Sequence, residues 1–352
     1  MPKQKSTSQK EIAFFETEPW EQEYLEQKLK NFKLHFFPQA ISKKDLTHIA
    51  NISVLSPFVY DQVTAEVIKS LPKLKFITTR STGFDHIDLK AAAAAGVQVT
   101  NVPFYGENTV AEHAFALILS LSRKIHNSYV RTSRGDFRLE GLQGFDLKGK
   151  TMGIIGGGHI GQHVARMAHG FEMNVLVYDT FPNKQLAKDL HFQYVSLSDL
   201  LKRSDVITLH APYNKKTHHL LNRQNLKLVK PGAILVNTAR GGLIDTTALV
   251  EALRTGRLAG LGLDVLEVEK YVFKEERELV SPKFSGKVSQ DKEMLKTIIE
   301  QHVLINSDKV VLTQHNAFNS KEAMIRILDT NIDNILAWKN KKEIKCLVKV
   351  KK

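Results

Sequence analysis

The sequence is poor in cysteine: Cys346 is the one cysteine among 352 residues. A single cysteine cannot close an intramolecular disulfide, and it cannot build a cysteine-ligated metal cluster. This scarcity favours a reducing compartment. We therefore expect a cytoplasmic protein with no metal site.

The sequence also lacks a long apolar run. No stretch reaches the ~18 apolar residues that a membrane-spanning helix needs. The opening segment, "MPKQKSTSQK", has no apolar core of the kind that signal peptides carry. We expect neither a membrane partner nor a signal peptide.

Acidic residues are too few to balance the basic ones, and the formal net charge is +13. Much of the excess lies in the two end segments, "MPKQKSTSQK" and "KNKKEIKCLVKVKK". Neither run is interleaved with aromatic residues, so a nucleic-acid partner is not expected. The positive charge favours an anionic small molecule as substrate.

The chain does contain a regular alternation of strand-like and helix-like segments. Apolar runs such as "NISVLS" and "KFITTR" alternate with helical segments through the first hundred residues, and the alternation restarts at "TMGIIG". Such alternation predicts parallel α/β sheets, and 352 residues fit two domains. We expect two Rossmann- or flavodoxin-like domains with the active site in the cleft between them.

Two apolar helices mark the expected domain crossings. The first is "TVAEHAFALILSLSRKIH" (109–126), where Thr109 and Glu112 have capping-box spacing. The second follows Asn319, which together with Glu322 is its candidate cap. The expected division is a discontinuous first domain and a continuous second one, at 1–107 with 319–352 and at 108–318. The charged segment 270–308 is expected to be a surface loop with one helix.

A glycine fingerprint opens the second domain. Gly156, Gly158 and Gly161 stand in the order G-x-G-x-x-G after an apolar strand, and an amphipathic helix follows. The glycines permit a tight turn, close approach of a diphosphate and close packing of the helix, whose first amides, at His159 and Ile160, face the diphosphate. The next strand ends in Asp179, which can accept hydrogen bonds from a ribose 2′-OH and would repel a 2′-phosphate. The pattern predicts NAD rather than NADP, bound to residues 108–318.

Three later strands end in polar residues of a kind that catalysis uses. Arg240 follows "AILVNTA", Asp264 and two glutamates lie in "LGLDVLEVEK", and His315 follows "KVVLTQ". Ligands of open parallel sheets bind outside the carboxyl ends of the strands. These side chains are therefore expected near the nicotinamide. Spacing alone does not decide whether Glu267 or Glu269 faces His315.

Seven collinear stretches carry a resemblance to a known family over roughly residues 80–330. They are "RSTGFDHIDL", "VPFYGENTVAEHA", "LKGKTMGIIGGGHIG", "LHAP", "VNTARGGLID", "GLDVLEVE" and "TQHNAF". In these stretches the sequence resembles the D-isomer-specific 2-hydroxyacid dehydrogenases, especially the D-lactate dehydrogenase-like branch.

The resemblance implies a catalytic triad of Arg240, Glu269 and His315. Arg240 would hold the substrate carboxylate through two parallel hydrogen bonds. His315 would exchange a proton with the keto oxygen, and Glu269 would orient and stabilise the charged imidazole. His210 is a rival base, which the resemblance assigns instead to the cofactor path. His218 and His219 are expected in an exposed loop.

The resemblance also implies further contacts. Expected cofactor contacts beyond the glycine loop and Asp179 are Ala211, Pro212, Thr217, Thr238, Ala239, Arg240 and Asp264, the last accepting from the nicotinamide carboxamide. Expected substrate contacts are Thr82, Gly83, Tyr105, Arg240, His315 and Phe318, with Phe58 as a further wall of the pocket.

The function that the resemblance implies is an NAD-dependent D-2-hydroxyacid dehydrogenase, with pyruvate and D-lactate as the favoured pair. Alternatives are a hydroxypyruvate or glyoxylate reductase, a 3-phosphoglycerate dehydrogenase-like enzyme, and an NAD(H)-sensing corepressor. The family also implies a homodimer built through the cofactor domain, with the helix 109–126 contributing.

Overall fold

The computed structural model describes residues 9–269 and 291–348. The chain forms two compact units. The first unit comprises Met1–Tyr105 and Ser320–Lys352, and the second comprises Gly106–Asn319. Each unit is built around its own parallel sheet. The predicted fold class, two parallel-sheet α/β domains with the first discontinuous in sequence, is confirmed.

The first unit has five parallel strands in the order β2-β1-β3-β4-β5. Its strands are β1 (Glu11–Phe15), β2 (Lys33–Phe37), β3 (Val54–Ser56), β4 (Phe76–Thr78) and β5 (Gln98–Thr100). Its helices are α1 (Pro19–Lys28), α2 (Lys43–His48), α3 (Ala65–Lys69), α4 (Leu89–Ala94) and the last helix of the chain, Lys321–Lys339.

The second unit has seven parallel strands in the order β12-β11-β10-β9-β6-β7-β8. These are β6 (Thr151–Ile155), β7 (Asn174–Tyr178), β8 (Gln193–Tyr194), β9 (Val206–Leu209), β10 (Ala233–Asn237), β11 (Leu258–Leu263) and β12 (Val310–Leu312). Its helices are α5 (Glu107–Ser122), α6 (Ile125–Ser133), α7 (His159–Gly170), α8 (Lys184–Asp189), α9 (Leu197–Arg203), α10 (Thr246–Arg254) and α11 (Lys292–Ile305), which makes Lys321–Lys339 helix α12.

Strands of the seven-stranded sheet are apolar along their length because helices cover both faces. One core holds residues of α5 and α7, and the other holds residues of α9 and α10. Side chains alternate between the two faces, so Ile154 of β6 lies in one core and Ile155 in the other. A parallel sheet covered on both faces has this continuous apolar pattern.

Two predicted helix starts are wrong. Helix α5 begins at Glu107 after Gly106, and Thr109 is buried within its first turns instead of capping it. The helix ends at Ser122, and a separate helix, α6, follows. Helix α12 is capped by Ser320, whose side chain accepts from the amide of Ala323. In both cases the predicted cap lies within three residues of the observed one, because sequence spacing alone does not fix the first residue of a helix.

Of the segment 270–308, residues 270–290 lie outside the described part of the chain, and α11 is the one helix described within the remainder. Within residues 9–269 and 291–348, no helix has the length and apolar character needed to cross a membrane.

A buried arginine organises one end of the first sheet. Arg80 is fully buried, and its guanidinium donates to the carbonyl oxygens of Phe15 and Glu16 and pairs with Glu21 at 3.4 Å. It also lies 5.0 Å from the ring centroid of Phe58. A guanidinium charge buried without partners would be costly, and these contacts of Arg80 offset that cost.

The carboxyl group of Glu16 is also affected by its surroundings. Burial, and then the charge of Asp61, raise the pKa of Glu16 to about 8.

Glu16→Gln should change the pH dependence of stability. A carboxyl whose folded pKa lies above its ordinary value of 4.5 stabilises the fold fully below that value and loses the contribution as pH rises through about 8. Between pH 5.5 and 8.5 the variant should therefore gain about 3 kcal/mol relative to the parent, measured by urea unfolding. Glu23→Gln, at an exposed site on α1, is the control. A difference between Glu16→Gln and the parent that does not change with pH would contradict the prediction.

Candidate active site

Predicted site residues in the second unit follow six of its seven strands. Because all the strands are parallel, their carboxyl ends share one edge of the sheet. In sheet order this edge carries His315 after β12, Asp264 and Glu269 after β11, Arg240 after β10, Ala211 after β9, the glycine loop after β6 and Asp179 after β7. The order places the expected catalytic residues at one end and the expected ribose-binding acid toward the other.

The glycine loop has the backbone that the fingerprint predicts. Gly156 has a φ of +103°, and a Cβ there would lie 2.7 Å from the amide nitrogen of Ala211. A Cβ on Gly161 would overlap the carbonyl oxygen of Gly156, so only glycine lets α7 close on β6. A Cβ on Gly158 would meet open space. That space is where a diphosphate approaches the loop in this motif.

Asp179 is held against the glycine loop. Its Oδ2 accepts from the amide of Gly157 at 2.7 Å, and its Oδ1 accepts from the amide of Phe181 at 2.8 Å. These bonds orient the carboxylate beside the loop at the end of β7. Each oxygen keeps further acceptor capacity for a hydroxyl.

Several features of this edge fit a bound dinucleotide. Helix α7 begins at His159, and its N-cap, Gly158, has no side chain that could accept from the first amides of the helix. The helix N-terminus, which includes the amides of His159 and Ile160, therefore suits an anion. The hydroxyl of Thr238, after β10, is buried with no hydrogen-bond partner among the described residues. The amide of the next residue, Ala239, already donates a hydrogen bond to Oδ1 of Asn237 at 3.0 Å.

His315 and Glu269 form a direct pair. Nδ1 of His315 lies 2.8 Å from Oε1 of Glu269. The other carboxylate oxygen of Glu269 accepts from the amide of Leu266 at 3.2 Å, which orients the acid. An ionised carboxylate is only an acceptor, so Nδ1 carries the proton and Nε2 is the nitrogen left for a ligand.

The backbone at His315 is unusual, with a φ of +55°. Its amide donates to the carbonyl oxygen of Asp264 at 2.8 Å, which ties the end of β12 to the end of β11. A left-handed conformation at a residue other than glycine is strained and persists where surrounding contacts hold it.

Glu267 points elsewhere. Its Oε1 lies 2.6 Å from Nε2 of His219, and its Oε2 accepts from the hydroxyl of Thr246 at 2.6 Å. The structure therefore distinguishes the two glutamates by contact: Glu269 faces His315 and Glu267 faces His219. The prediction that His219 lies in an exposed loop is wrong, because it is half-buried and paired, whereas His218 is exposed.

Arg240 lies on the turn after β10. One guanidinium nitrogen donates to the carbonyl oxygen of Ala239 at 2.7 Å. The side chain of Asn237 holds this turn by donating to the carbonyl oxygen of Arg240 at 3.0 Å. The structure thus joins His315 to Glu269 directly, whereas Arg240 is brought near them by the adjacency of β10 and β11.

Asp264 is buried beneath the His315 turn. Its Oδ1 accepts from the hydroxyl of Thr313 at 2.6 Å and the amide of Asn316 at 2.9 Å, and its Oδ2 accepts from the amide of Ala317 at 3.0 Å. Burial raises the pKa of Asp264, but these bonds and one from His113 together bring it below the ordinary value. Both oxygens thus bond within the chain, and the contact with a carboxamide stays a prediction.

His210 has the character of a neutral histidine. Burial lowers its pKa to about 3, and its Nε2 lies 2.9 Å from the hydroxyl of Thr208. An imidazole that protonates only near pH 3 cannot serve as an acid at neutral pH. This argues against His210 as the rival proton donor.

The remaining predicted contacts of the second unit lie in turns. Thr217 closes the turn after Pro212 by donating to the Pro212 carbonyl oxygen at 2.7 Å and accepting from the amide of Asn214 at 2.8 Å. Phe318 lies three residues after His315 and is half-buried.

The predicted substrate contacts of the first unit follow three adjacent strands. Phe58 comes after β3, Thr82 and Gly83 come after β4, and Tyr105 comes after β5. The hydroxyl of Thr82 donates to the carbonyl oxygen of Val102 at 2.8 Å, which links the last two turns. These residues share the carboxyl edge of their own sheet.

Sequence reasoning did not assign roles to Asn237, Thr313 or His113. His113 lies 3.0 Å from the hydroxyl of Thr313, which in turn donates to Asp264. A signal existed: His113 is a polar residue in an apolar helix, and Thr313 begins "TQHNAF". Within the described residues, no cluster of three or more histidine, cysteine or acidic side chains could hold a metal ion.

Comparisons with known proteins point to one family. Residues 115–317 match the family model described as D-isomer specific 2-hydroxyacid dehydrogenase, NAD binding domain. A 2-hydroxyacid dehydrogenase homolog from Haemophilus influenzae is 38% identical over 335 residues, which is 94% of this chain and 97% of the relative.

Two solved structures are similar over nearly the whole chain. The pyruvate reductase of Chlamydomonas reinhardtii has a TM-score of 0.85 and 34% identity, and the match covers 96% of this chain and 98% of that one. The D-lactate dehydrogenase of Aquifex aeolicus, complexed with NAD and lactic acid, has a TM-score of 0.77 and 35% identity, and the match covers 94% and 96%.

Asp264→Asn should destabilise the second unit. Asparagine would turn an NH₂ group toward the amide of Ala317 or of Asn316, leaving one buried donor without an acceptor. The expected loss is about 2–3 kcal/mol at pH 7, measured by urea unfolding. Since the folded pKa of Asp264 is lowered, its contribution exists above about pH 4 and disappears as pH falls. The deficit should therefore shrink at pH 3.5. Asp308→Asn, at an exposed site, is the control, and equal effects from both variants would refute the role.

Proposed function

We propose a substrate for this chain, which belongs to the D-isomer specific 2-hydroxyacid dehydrogenase family and is an NAD-dependent oxidoreductase acting on D-2-hydroxy acids. The proposed reaction is the reduction of pyruvate to D-lactate. The observation that carries the proposal is the 2.8 Å pair of His315 and Glu269 at the strand edge that also bears Arg240. Similarity to a pyruvate reductase and to a D-lactate dehydrogenase supports the choice of substrate.

His315 is the proposed proton donor. When bound, NAD supplies the hydride chemistry, and the protein supplies placement and charge. Nε2 of His315 delivers a proton to the keto oxygen and takes it back in the reverse direction. Glu269, hydrogen-bonded to Nδ1, keeps the ring oriented and stabilises its charged form.

Arg240 is the proposed anchor of the substrate carboxylate. Its planar guanidinium can donate two parallel hydrogen bonds, a geometry that lysine cannot reproduce. Thr82, Gly83, Tyr105 and Phe318 are proposed as the remaining substrate contacts, with Phe58 as an apolar wall that suits a short side chain.

Asp179 is proposed to select NAD over NADP. Its carboxylate lies against the amide of Gly157 and is only an acceptor when ionised. It can accept from the 2′-hydroxyl of NAD, whereas a 2′-phosphate would meet like charge. Ala211, Pro212, Thr217, Thr238, Ala239 and Asp264 are proposed to complete the cofactor contacts.

A panel of 2-keto acids tests the proposal directly. We expect NADH oxidation to be faster with pyruvate than with glyoxylate, hydroxypyruvate or longer keto acids, and faster with NADH than with NADPH. A preference for hydroxypyruvate or glyoxylate would reassign the substrate. NADH binding without turnover of any keto acid would favour a sensor and overturn the reaction.

Within the same panel, His315→Ala should lower kcat by about 10²–10⁴-fold, because general acid catalysis is lost, while the Kd for NADH stays within about twofold. His48→Ala, at an exposed site on α2, is the matched control. Near-normal kcat in His315→Ala would show that the proton comes from elsewhere.

We also propose a cytoplasmic homodimer. Apolar side chains are exposed on and just after α6, where Tyr129 is 74%, Phe137 is 76% and Leu139 is 83% exposed. Exposed apolar side chains concentrated in one segment make that segment our proposed association surface. The apolar residues of helix α5, in contrast, are buried in the core of its own unit.

The oligomeric state tests this proposal. Sedimentation should give twice the chain mass of 39.7 kDa, and the double variant Phe137→Glu/Leu139→Glu should be monomeric. A monomeric parent chain would refute the proposal.

A further inference from the structure

A second histidine–carboxylate pair lies outside the residues assigned to the reaction. Nε2 of His219 is 2.6 Å from Oε1 of Glu267, and the other oxygen of Glu267 accepts from Thr246 at 2.6 Å. The side chains are 33% and 19% exposed, so the pair is largely shielded from water. An ionised carboxylate only accepts, so Nε2 of His219 is the donor.

The pair joins two turns that touch through their backbones. One turn, residues 240–243, begins with Arg240; the other, residues 265–269, ends with Glu269. A Cβ added to Gly241 would overlap the backbone of Leu266 and Glu267, so the first turn rests directly on the second. Glu267 belongs to the second turn, and its carboxylate reaches across to His219.

The segment that carries His219 is itself fastened to the first turn. The amide of His219 donates to the carbonyl oxygen of Gly242 at 2.9 Å, and the amide of Leu221 donates to that of Leu243 at 3.0 Å. Leu221 also forms a parallel bridge with Ile244. His219 therefore moves with the Arg240 turn, while Glu267 moves with the Glu269 turn.

Aromatic side chains support the histidine. The ring of His218 stacks on that of His219 with centroids 3.8 Å apart, and the hydroxyl of Tyr213 lies 3.1 Å from Nδ1 of His218. Tyr213 also covers Gly242, where a Cβ would lie 2.7 Å from its ring. These contacts limit the rotation of His219 away from Glu267.

We propose that His219 and Glu267 are positioning residues that fix the separation between Arg240 and the His315–Glu269 pair. This inference rests on the proposed function, in which Arg240 holds the carboxylate and His315 serves the keto oxygen of one small molecule. Those two groups are carried on adjacent carbon atoms of one small molecule, so the turns that serve them must keep a fixed spacing. A displacement of about 1 Å in such a site can cost about 10²-fold in rate.

Kinetics of four variants test the proposal. His219→Leu and Glu267→Leu should each raise the KM for pyruvate and lower kcat/KM by about 10–100-fold, with the Kd for NADH within about twofold of the parent. His219→Gln retains an N–H donor and should recover to within about fivefold. The double variant His219→Leu/Glu267→Leu should be little worse than either single variant, because the two residues act as one pair.

Three kinetic outcomes would overturn the proposal. They are normal kcat/KM in His219→Leu, equal losses in His219→Gln and His219→Leu, and weakened NADH binding in step with lost turnover. The last would indicate general damage to the unit. His48→Leu, at an exposed site of the first unit, is the matched control and should match the parent.

Hydrogen–deuterium exchange separates this proposal from the proposed function, because it needs neither cofactor nor turnover. Amides of the peptide 240–247 should exchange at least about tenfold faster in His219→Leu than in the parent, whereas those of α7 should not change. Unchanged exchange in 240–247 would overturn the pairing role, even in a parent that reduces no keto acid. If His219→Leu fails to fold, Glu267→Leu carries the same comparison.

Discussion

The second unit depends on the parallel hydrogen bonding of its seven strands. Antiparallel pairing would send alternate strand ends to opposite edges, and the polar residues that follow them would be separated. Parallel pairing instead sets His315, Asp264, Glu269, Arg240 and the glycine loop along a single edge. The direction of the strands thus brings these polar residues to one edge, and individual hydrogen bonds then orient their side chains.

Carboxylates accept most of the hydrogen bonds that orient these residues. Asp264 holds the turn that bears His315, Glu269 orients its imidazole, and Glu267 links the neighbouring turn through His219. Three acids within six residues thus perform three different tasks, and each task follows from what the acid contacts. Burial strengthens these interactions because water cannot compete for the same donors.

The parts that could be predicted from the sequence are those coded locally. Gly156, Gly161 and Asp179 belong to a single strand–helix–strand unit, so their spacing alone indicated the dinucleotide loop. His315 and Arg240 could be predicted as strand-end residues. The exposure expected for His219 was wrong because its partner Glu267 is 48 residues away, and only the folded sheet brings them together. Thr109 matched a cap in sequence, but its burial within α5 depends on packing that spacing does not encode.

Gly241 carries a consequence for how this site can change over evolution or in the laboratory. Any side chain there would collide with the backbone of Leu266 and Glu267, so position 241, next to Arg240, cannot be diversified by single substitutions. Gly241 is thus constrained by a backbone contact, although it takes no part in the proposed chemistry beside it.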